Sequence, residues 1–256
     1  MRKNCTIGLL GGIGPWAGLD VHQKILELSE HKVEQDCVSI VHLSYPRDYS
    51  DRTEFLLGKT KVNPADAFVK VLRSMERQGV DVAAIICNTA HASPIIGKIR
   101  SQLLNSSMEY VNIIEETQKR LYKDRVKTVG LLATKGTYQF GLYENNFRGQ
   151  LIVPSHTDQE RVHNCIYDSN HGIKVKHPQV DQLLYEELQE IGNKLVQEGA
   201  EALVLGCTEL PLLKELKNCF DVPVYDPNQI LAEALMSEAK VISQQKRKPQ
   251  IKQNIS

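Results

Sequence analysis

Cys87 and Cys207 carry the strongest chemical signal in this 256-residue chain. Each ends a predicted strand (81–86 and 200–205), just before a predicted helix start bearing Asn, Thr or Glu. In open α/β sheets, ligands bind at the carboxyl edge of the strands. A thiol there meets the first N–H groups of the following helix, whose positive end favours a thiolate. A single cysteine so placed is as well explained as a small core residue. Two at matching points of the chain suit one reaction in particular. A thiolate on one face of a carbon removes its hydrogen, a thiol on the other face returns one, and the two exchange roles with each turnover. The hydrogen beside a carboxylate is weakly acidic, so such a site must grip that carboxylate and exclude water. Asn88, Thr89 and Thr208 stand beside the cysteines, and Thr137 ends the turn Ala133-Thr134-Lys135-Gly136-Thr137. All four are candidate donors, with helix N-capping as the plainer use of the same side chains.

Other residues are candidates for holding the ligand. The glycine-rich turn after the first predicted strand offers the backbone of Gly12 and Ile13 as a small carboxylate cradle. Gly12-x-Gly14-x-x-Ala17 formally fits a dinucleotide fingerprint. Pro15 removes a donor that a pyrophosphate would use, and the next strand leads to Ser44 and Tyr45 instead of an acidic ribose anchor. Arg52 and Thr53 lie in a charged loop after the second strand, where a guanidinium can clamp a carboxylate with two parallel bonds. Lys174, in His171-Gly172-Ile173-Lys174, is a second cation that could reach inward. Glu209 follows Cys207-Thr208 and either assists that thiol or serves as a first-turn helix acid. His91 lies four residues after Cys87 without a companion ligand cluster, so no metal is expected. Cys5, Cys37, Cys165 and Cys219 receive no role.

The elements that position these residues alternate. Strand patterns at 6–10, 38–43, 81–86, 126–132, 200–205 and 222–225 are separated by helical patterns, among them 18–30, 64–78, 179–197 and 227–241. Such alternation predicts an α/β fold of parallel sheets flanked by helices. The tail at 244–256 reads as frayed. The chain also repeats. Thr6-Ile7-Gly8-Leu9-Leu10 recurs as Thr128-Val129-Gly130-Leu131-Leu132, an offset of 128 − 6 = 122. The segments ending in Cys87 and Cys207 recur at 207 − 87 = 120. Two nearly equal offsets point to a duplicated half of 110–120 residues, with both thiols aimed into one cleft.

Composition narrows the classes. Lys plus Arg and Asp plus Glu both number 31, so the formal net charge is zero and no broad nucleic-acid or membrane footprint is expected. The apolar runs are too short to span a bilayer, and the N-terminus shows no secretory pattern, which leads to an expectation of a cytoplasmic protein. Six widely spaced cysteines without a Cys-x-x-Cys pair read as thiols.

The sequence resembles the aspartate/glutamate racemase family, in particular its aspartate racemase-like branch. The likeness rests on Gly8-Leu9-Leu10-Gly11-Gly12-Ile13-Gly14-Pro15, Ser50-Asp51-Arg52-Thr53 and Cys87-Asn88-Thr89-Ala90-His91. It continues through Ile114-Glu115-Glu116-Thr117, 132–137 and Leu205-Gly206-Cys207-Thr208-Glu209, in order over about 6–235. The resemblance implies two pseudo-symmetric α/β lobes with the site between them, 1–113 with 226–256 forming one and 114–225 the other. It implies no cofactor, neither pyridoxal phosphate nor metal, and a homodimer. By residue it makes Cys87 and Cys207 the acid/base pair and puts Arg52 and Lys174 on substrate carboxylates. Asn88, Thr89, Thr137 and Thr208 then hold the α-carboxylate and amino group. Two departures stand out: Ser50 replaces a usual proline, and the loop after Tyr167 is longer. The implied activity is racemisation of a small acidic amino acid, aspartate first and glutamate next. Hydantoin racemisation, isomerisation of an unsaturated diacid and amino-acid binding without turnover are the alternatives.

Overall fold

The computed structural model describes residues 4–145 and 147–247. Two four-stranded parallel sheets organise it. The first contains β1 (Thr6–Gly11), β2 (Ser39–Ser44), β3 (Val82–Ile85) and β4 (Glu109–Tyr110), in the order β2-β1-β3-β4. The second contains β5 (Thr128–Leu132), β6 (Gln150–Ile152), β7 (Ala202–Leu205) and β8 (Val224–Tyr225), in the order β6-β5-β7-β8. The orders are the same, and so is the central register. Ile7 pairs with Val82 as Val129 pairs with Ala202, each partner displaced by the offset read from the sequence.

The short strands β4 and β6 lie outside the expected set, because two or three residues are too few to show a period. The other six begin up to two residues later than expected, and β1 and β2 run one residue further. Continuous apolar runs such as Thr6–Gly11 are buried along their whole length, as parallel strands covered on both faces require.

Helices cover the sheets. In the first half these are α1 (Pro15–Glu27), α2 (Arg52–Leu56), α3 (Ala65–Arg77), α4 (Ser93–Gln102) and α5 (Ile113–Lys123). The second half supplies α6 (Lys135–Gln139), α7 (His156–Tyr167), α8 (Ile173–Lys176), α9 (Gln182–Gln197) and α10 (Pro227–Arg247). Period-2 alternation divides the second sheet. Val129, Leu131 and Val204 join the large core that runs through the first sheet and α5, whereas Leu132, Leu203 and Leu205 pack with α7 and α9. Truncating a fully buried side chain such as Leu203 to alanine costs about 2–5 kcal/mol. Glycines at equivalent points allow the covering helices to approach closely. A Cβ on Gly8 would lie 3.1 Å from Met75 of α3, and one on Gly130 would lie 3.0 Å from Leu195 of α9.

The tail corrects the expectation of fraying from 244. Residues 244–247 continue α10, tied down by an Arg247–Asn4 hydrogen bond of 2.8 Å and a Lys246–Asp81 ion pair of 2.5 Å. Residues 248–256 lie outside the described ones. The same helix packs on α1 and α5, and Ser243 accepts a hydrogen bond from the Cys5 N–H at 2.9 Å. Among the described residues, no helix is long and apolar enough to cross a membrane.

Candidate active site

Cys87 lies two residues beyond β3, and Cys207 two residues beyond β7, so the duplicated frame holds both thiols at equivalent strand ends. Both are buried, each 6% exposed. The expectation of a helix directly after each thiol needs correction. Cys87 is followed by a single 3₁₀ turn, Thr89–His91, before α4, and Cys207 only by the 3₁₀ turns Leu210–Leu212 and Lys214–Asn218. Pro94 and Pro211 each lack an N–H that a helix running on from the thiol would need there. A full helix macrodipole is therefore not aimed at Cys207, and nearby side chains set its polarity.

Glu209 is the first of these. The Cys207 thiol donates to its Oε2 at 3.1 Å, and the Thr208 hydroxyl donates to the same oxygen at 3.2 Å. Lys174 forms a buried ion pair with the other carboxylate oxygen. Burial and then the Glu209 charge push the Cys207 thiol well above its usual range, against a smaller lowering by Lys174. Burial also opposes ionisation of Glu209, but the Lys174 ammonium, helped by the Cys207 thiol and Arg52, holds the carboxyl below its usual value. Lys174 therefore turns inward, its ammonium 5.1 Å from the centre of the Tyr167 ring. Gly14, on the glycine-rich turn, leaves room for this pair, because a Cβ there would run into the Glu209 carboxylate.

Arg52 comes from the opposite half. Asp51 caps α2 by accepting from the Glu54 N–H at 2.8 Å, which fixes the helix start and turns Arg52 inward. Arg52 is 7% exposed and its Nε has no partner. Burial disfavours its charge, but the fields of Cys87, Tyr167, Asp51 and Glu209 more than compensate. Both catalytic candidates' surroundings thus lie within electrostatic reach of one guanidinium. The neighbouring Thr53 hydroxyl and the Asn88 amide nitrogen are likewise buried and unpartnered. A buried donor without an acceptor costs about 1–3 kcal/mol, which a ligand oxygen would recover.

Hydroxyls join the two halves. Thr89 Oγ1 lies 3.3 Å from Thr134 Oγ1 and 3.4 Å from Thr137 Oγ1, and those two are 3.3 Å apart. Neither Asn88 nor Thr134 caps its following turn through its side chain, so the plainer capping role does not apply to them. Gly12 has φ +83, a left-handed conformation that favours glycine, and a Cβ there would meet the Tyr45 backbone at 2.9 Å. Ile13 beside it is buried.

Several site residues gave no usable sequence signal. Tyr143 donates to Asn88 Oδ1 at 2.7 Å from 55 residues away. Tyr167 donates to Asp51 Oδ2 at 3.2 Å across the halves. Asn228 donates to the Thr208 carbonyl at 2.9 Å and to Asp20 at 2.8 Å. His91 is used structurally, with Nδ1 2.8 Å from the Cys87 carbonyl and Nε2 2.7 Å from the Tyr110 hydroxyl. Among the described residues no group of three or more His, Cys, Asp and Glu could hold a metal ion. A surface cavity of about 1240 Å³ between α5 and the 147–149 loop includes none of the candidate residues.

Known proteins share this fold. Residues 10–235 match the Asp/Glu/Hydantoin racemase family. The chain is 26% identical to the broad-specificity amino-acid racemase RacX of Bacillus subtilis over 247 residues, covering 90% of this chain and 96% of that one. Picrophilus torridus aspartate racemase superposes with a TM-score of 0.77 at 26% identity, covering 92% and 94% of the two chains. The glutamate racemase isoform RacE1 from Bacillus anthracis shares the fold, with a TM-score of 0.65 at 18% identity over 94% and 83%. Racemases are isomerases, and a match over this span, on a frame that duplicates a cysteine-bearing strand end, decides the affiliation. The chain belongs to the Asp/Glu/Hydantoin racemase family.

Proposed function

We propose that this protein racemises a small amino acid without a cofactor, using Cys87 and Cys207 as the two proton-transfer groups. The supporting observation is their placement at equivalent strand ends of two repeats that share one register. In the resting protein Cys207 is the acid, since its thiol donates to Glu209 and burial keeps the proton on sulfur. Cys87 then acts as base toward the enantiomer whose hydrogen faces it, and Cys207 delivers the replacement proton from the far side. The negative charge developing on the substrate's carboxylate is stabilised by preorganised donors, with Asn88 Nδ2, Thr89, Thr137 and Thr208 as the candidates. The Gly12–Ile13 backbone and Thr53 complete the cradle.

The preferred substrate in this reading is an acidic amino acid, aspartate first. Arg52 supports it: its buried guanidinium meets Asp51 only at 3.7 Å and keeps an unpartnered Nε for an anion. One observation favours a second reading, in which side-chain selection is broad. Lys174, the other cation, is already neutralised by Glu209 and offers a second carboxylate little unless that pair opens. The similarity to a broad-specificity racemase agrees with this alternative. The lobes 1–113 with 226–256 and 114–225, a cytoplasmic location and a homodimer belong to the same proposal. The packing of α10 on α1 supports the division into lobes.

A chiral assay in deuterated water without added cofactor, over acidic, neutral and basic amino acids, tests the function. Deuterium should enter the α-position as the enantiomer inverts, fastest for aspartate. Equal rates across the panel would favour the broad reading, and absence of exchange throughout would favour a binding protein.

A further inference from the structure

One side-chain amide in the site has its polarity fixed from outside. Tyr143 is 1% exposed, in the turn after α6, and its hydroxyl donates to Asn88 Oδ1 at 2.7 Å. This is the phenol's one hydrogen bond among the described residues, so turning the amide over would cost it that acceptor and leave only the Thr117 hydroxyl oxygen beside it. The nearby Thr117 hydroxyl gives its own proton to the Ile113 carbonyl at 2.7 Å and cannot serve Tyr143 as a donor. Burial pushes the phenol far above its usual range, so it stays protonated and remains a donor. With Oδ1 engaged, Asn88 has only Nδ2 left, and that nitrogen is buried without a partner on a residue 2% exposed. An amide N–H₂ can bond to a carboxylate oxygen but has nothing to offer an ammonium, which is itself only a donor.

We infer that Tyr143 is a positioning residue that commits Asn88 to the substrate's carboxylate and denies it to the amino group. The inference rests on the proposed function in taking the ligand to be an amino acid, and it settles which end of that ligand Asn88 takes. Because Tyr143 and Asn88 belong to different repeats, the grip on the carboxylate draws on both halves of the chain.

Succinate, which has carboxylates and no amine, is the probe, with dissociation constants measured by calorimetry for wild type and variants. Asn88→Asp places a carboxylate against the ligand carboxylate and should weaken succinate by about tenfold or more. Tyr143→Phe, which keeps the ring, should weaken it by about threefold to tenfold. In an Asn88→Ala background Tyr143→Phe should have no further effect, since the pair acts as one unit. Aspartate bound as tightly or more tightly by Asn88→Asp would overturn the assignment, because it would mean that the amide oxygen faces the ammonium. An unchanged Tyr143→Phe, or a wild type that does not bind succinate, would also overturn it. If Tyr143→Phe does not fold, Asn88→Asp against Asn88→Ala still decides the polarity. The α-proton exchange assay judges the function separately: exchange with no Tyr143 effect sinks only this inference, whereas carboxylate binding without exchange sinks only the racemase reading.

Discussion

The two cysteine turns stand on the same frame and differ in almost everything around it. Behind Cys87 the hydrogen bonds are neutral, and the charge that reaches its thiol is the Arg52 guanidinium. His91 bonds to the Cys87 carbonyl and to Tyr110, and Tyr143 bonds to Asn88. Burial drops the His91 pKa to about 4, so the ring is neutral at ordinary pH, with its proton on the nitrogen facing the carbonyl. Around Cys207 the contacts are ionic. Glu209 accepts from the thiol while paired to Lys174, and Asn228 links the Thr208 carbonyl to Asp20. Behind it Lys24 and Asp226 form a further buried pair at 3.0 Å. Duplication therefore preserved where each sulfur sits, whereas neighbouring side chains determine how each holds its proton. A two-base reaction needs this separation, because its groups must begin each turnover in opposite states.

The comparison is tested most severely at the sulfurs. Cys87→Ala and Cys207→Ala should each lower racemisation about 10²–10⁴-fold in both directions, read by chiral chromatography from either enantiomer. Full activity in either variant ends the two-thiol mechanism. The ionic side is tested next. Lys174→Met leaves the Glu209 carboxylate buried and unpaired, which should destabilise the fold by about 3–5 kcal/mol in urea titrations at neutral pH. The sign of the pH dependence should change as well. In the wild type the folded-state pKa of Glu209 is depressed, so its contribution is present above the unfolded value and lost as pH falls through the folded one. Without Lys174, burial raises the folded pKa, and the variant should instead lose stability as pH rises. A variant that is no less stable at pH 8 than at pH 5 would show that Glu209 does not depend on Lys174.

Much of the frame was legible because it is written locally. Apolar runs such as Thr6–Gly11 announce buried parallel strands, and the 122- and 120-residue offsets reappear as a shared register. Arg52, Asn88, Thr89, Thr208 and Glu209 were legible as candidates because they adjoin the cysteines or a loop at the same sheet edge. Tyr143, Tyr167 and Asn228 were not, because contacts across 55 to 208 residues leave no spacing to read. The two 3₁₀ turns after Cys207 resemble a helix start in sequence because Thr and Glu favour such starts, whereas Pro211, two positions beyond Glu209, ends the pattern.

On the neutral side, His91→Gln keeps an N–H for the Cys87 carbonyl and removes the titration. The folded pKa of His91 is about 4 against 6.5 unfolded, so the unfolded chain takes up the proton first as pH falls. Wild type should lose about 3 kcal/mol between pH 6.5 and 4 from this group, and the glutamine variant should show a flatter acid limb. Identical limbs would mean that the imidazole is not held neutral.

The smallest effect expected is also the most specific to the difference between the turns. Glu209→Gln keeps the shape and an acceptor for the Cys207 thiol but removes the charge that, after burial, holds its proton in place. Lys174 remains and lowers the thiol further. The limb of the pH–rate profile that belongs to Cys207 should therefore move toward lower pH, while the limb that belongs to Cys87 stays where it is. Comparing profiles started from each enantiomer separates the two limbs, since each direction uses a different sulfur as base. Movement of both limbs together would mean that Glu209 acts on the whole site, and movement of the Cys207 limb to higher pH would mean that its charge does not hold the thiol proton.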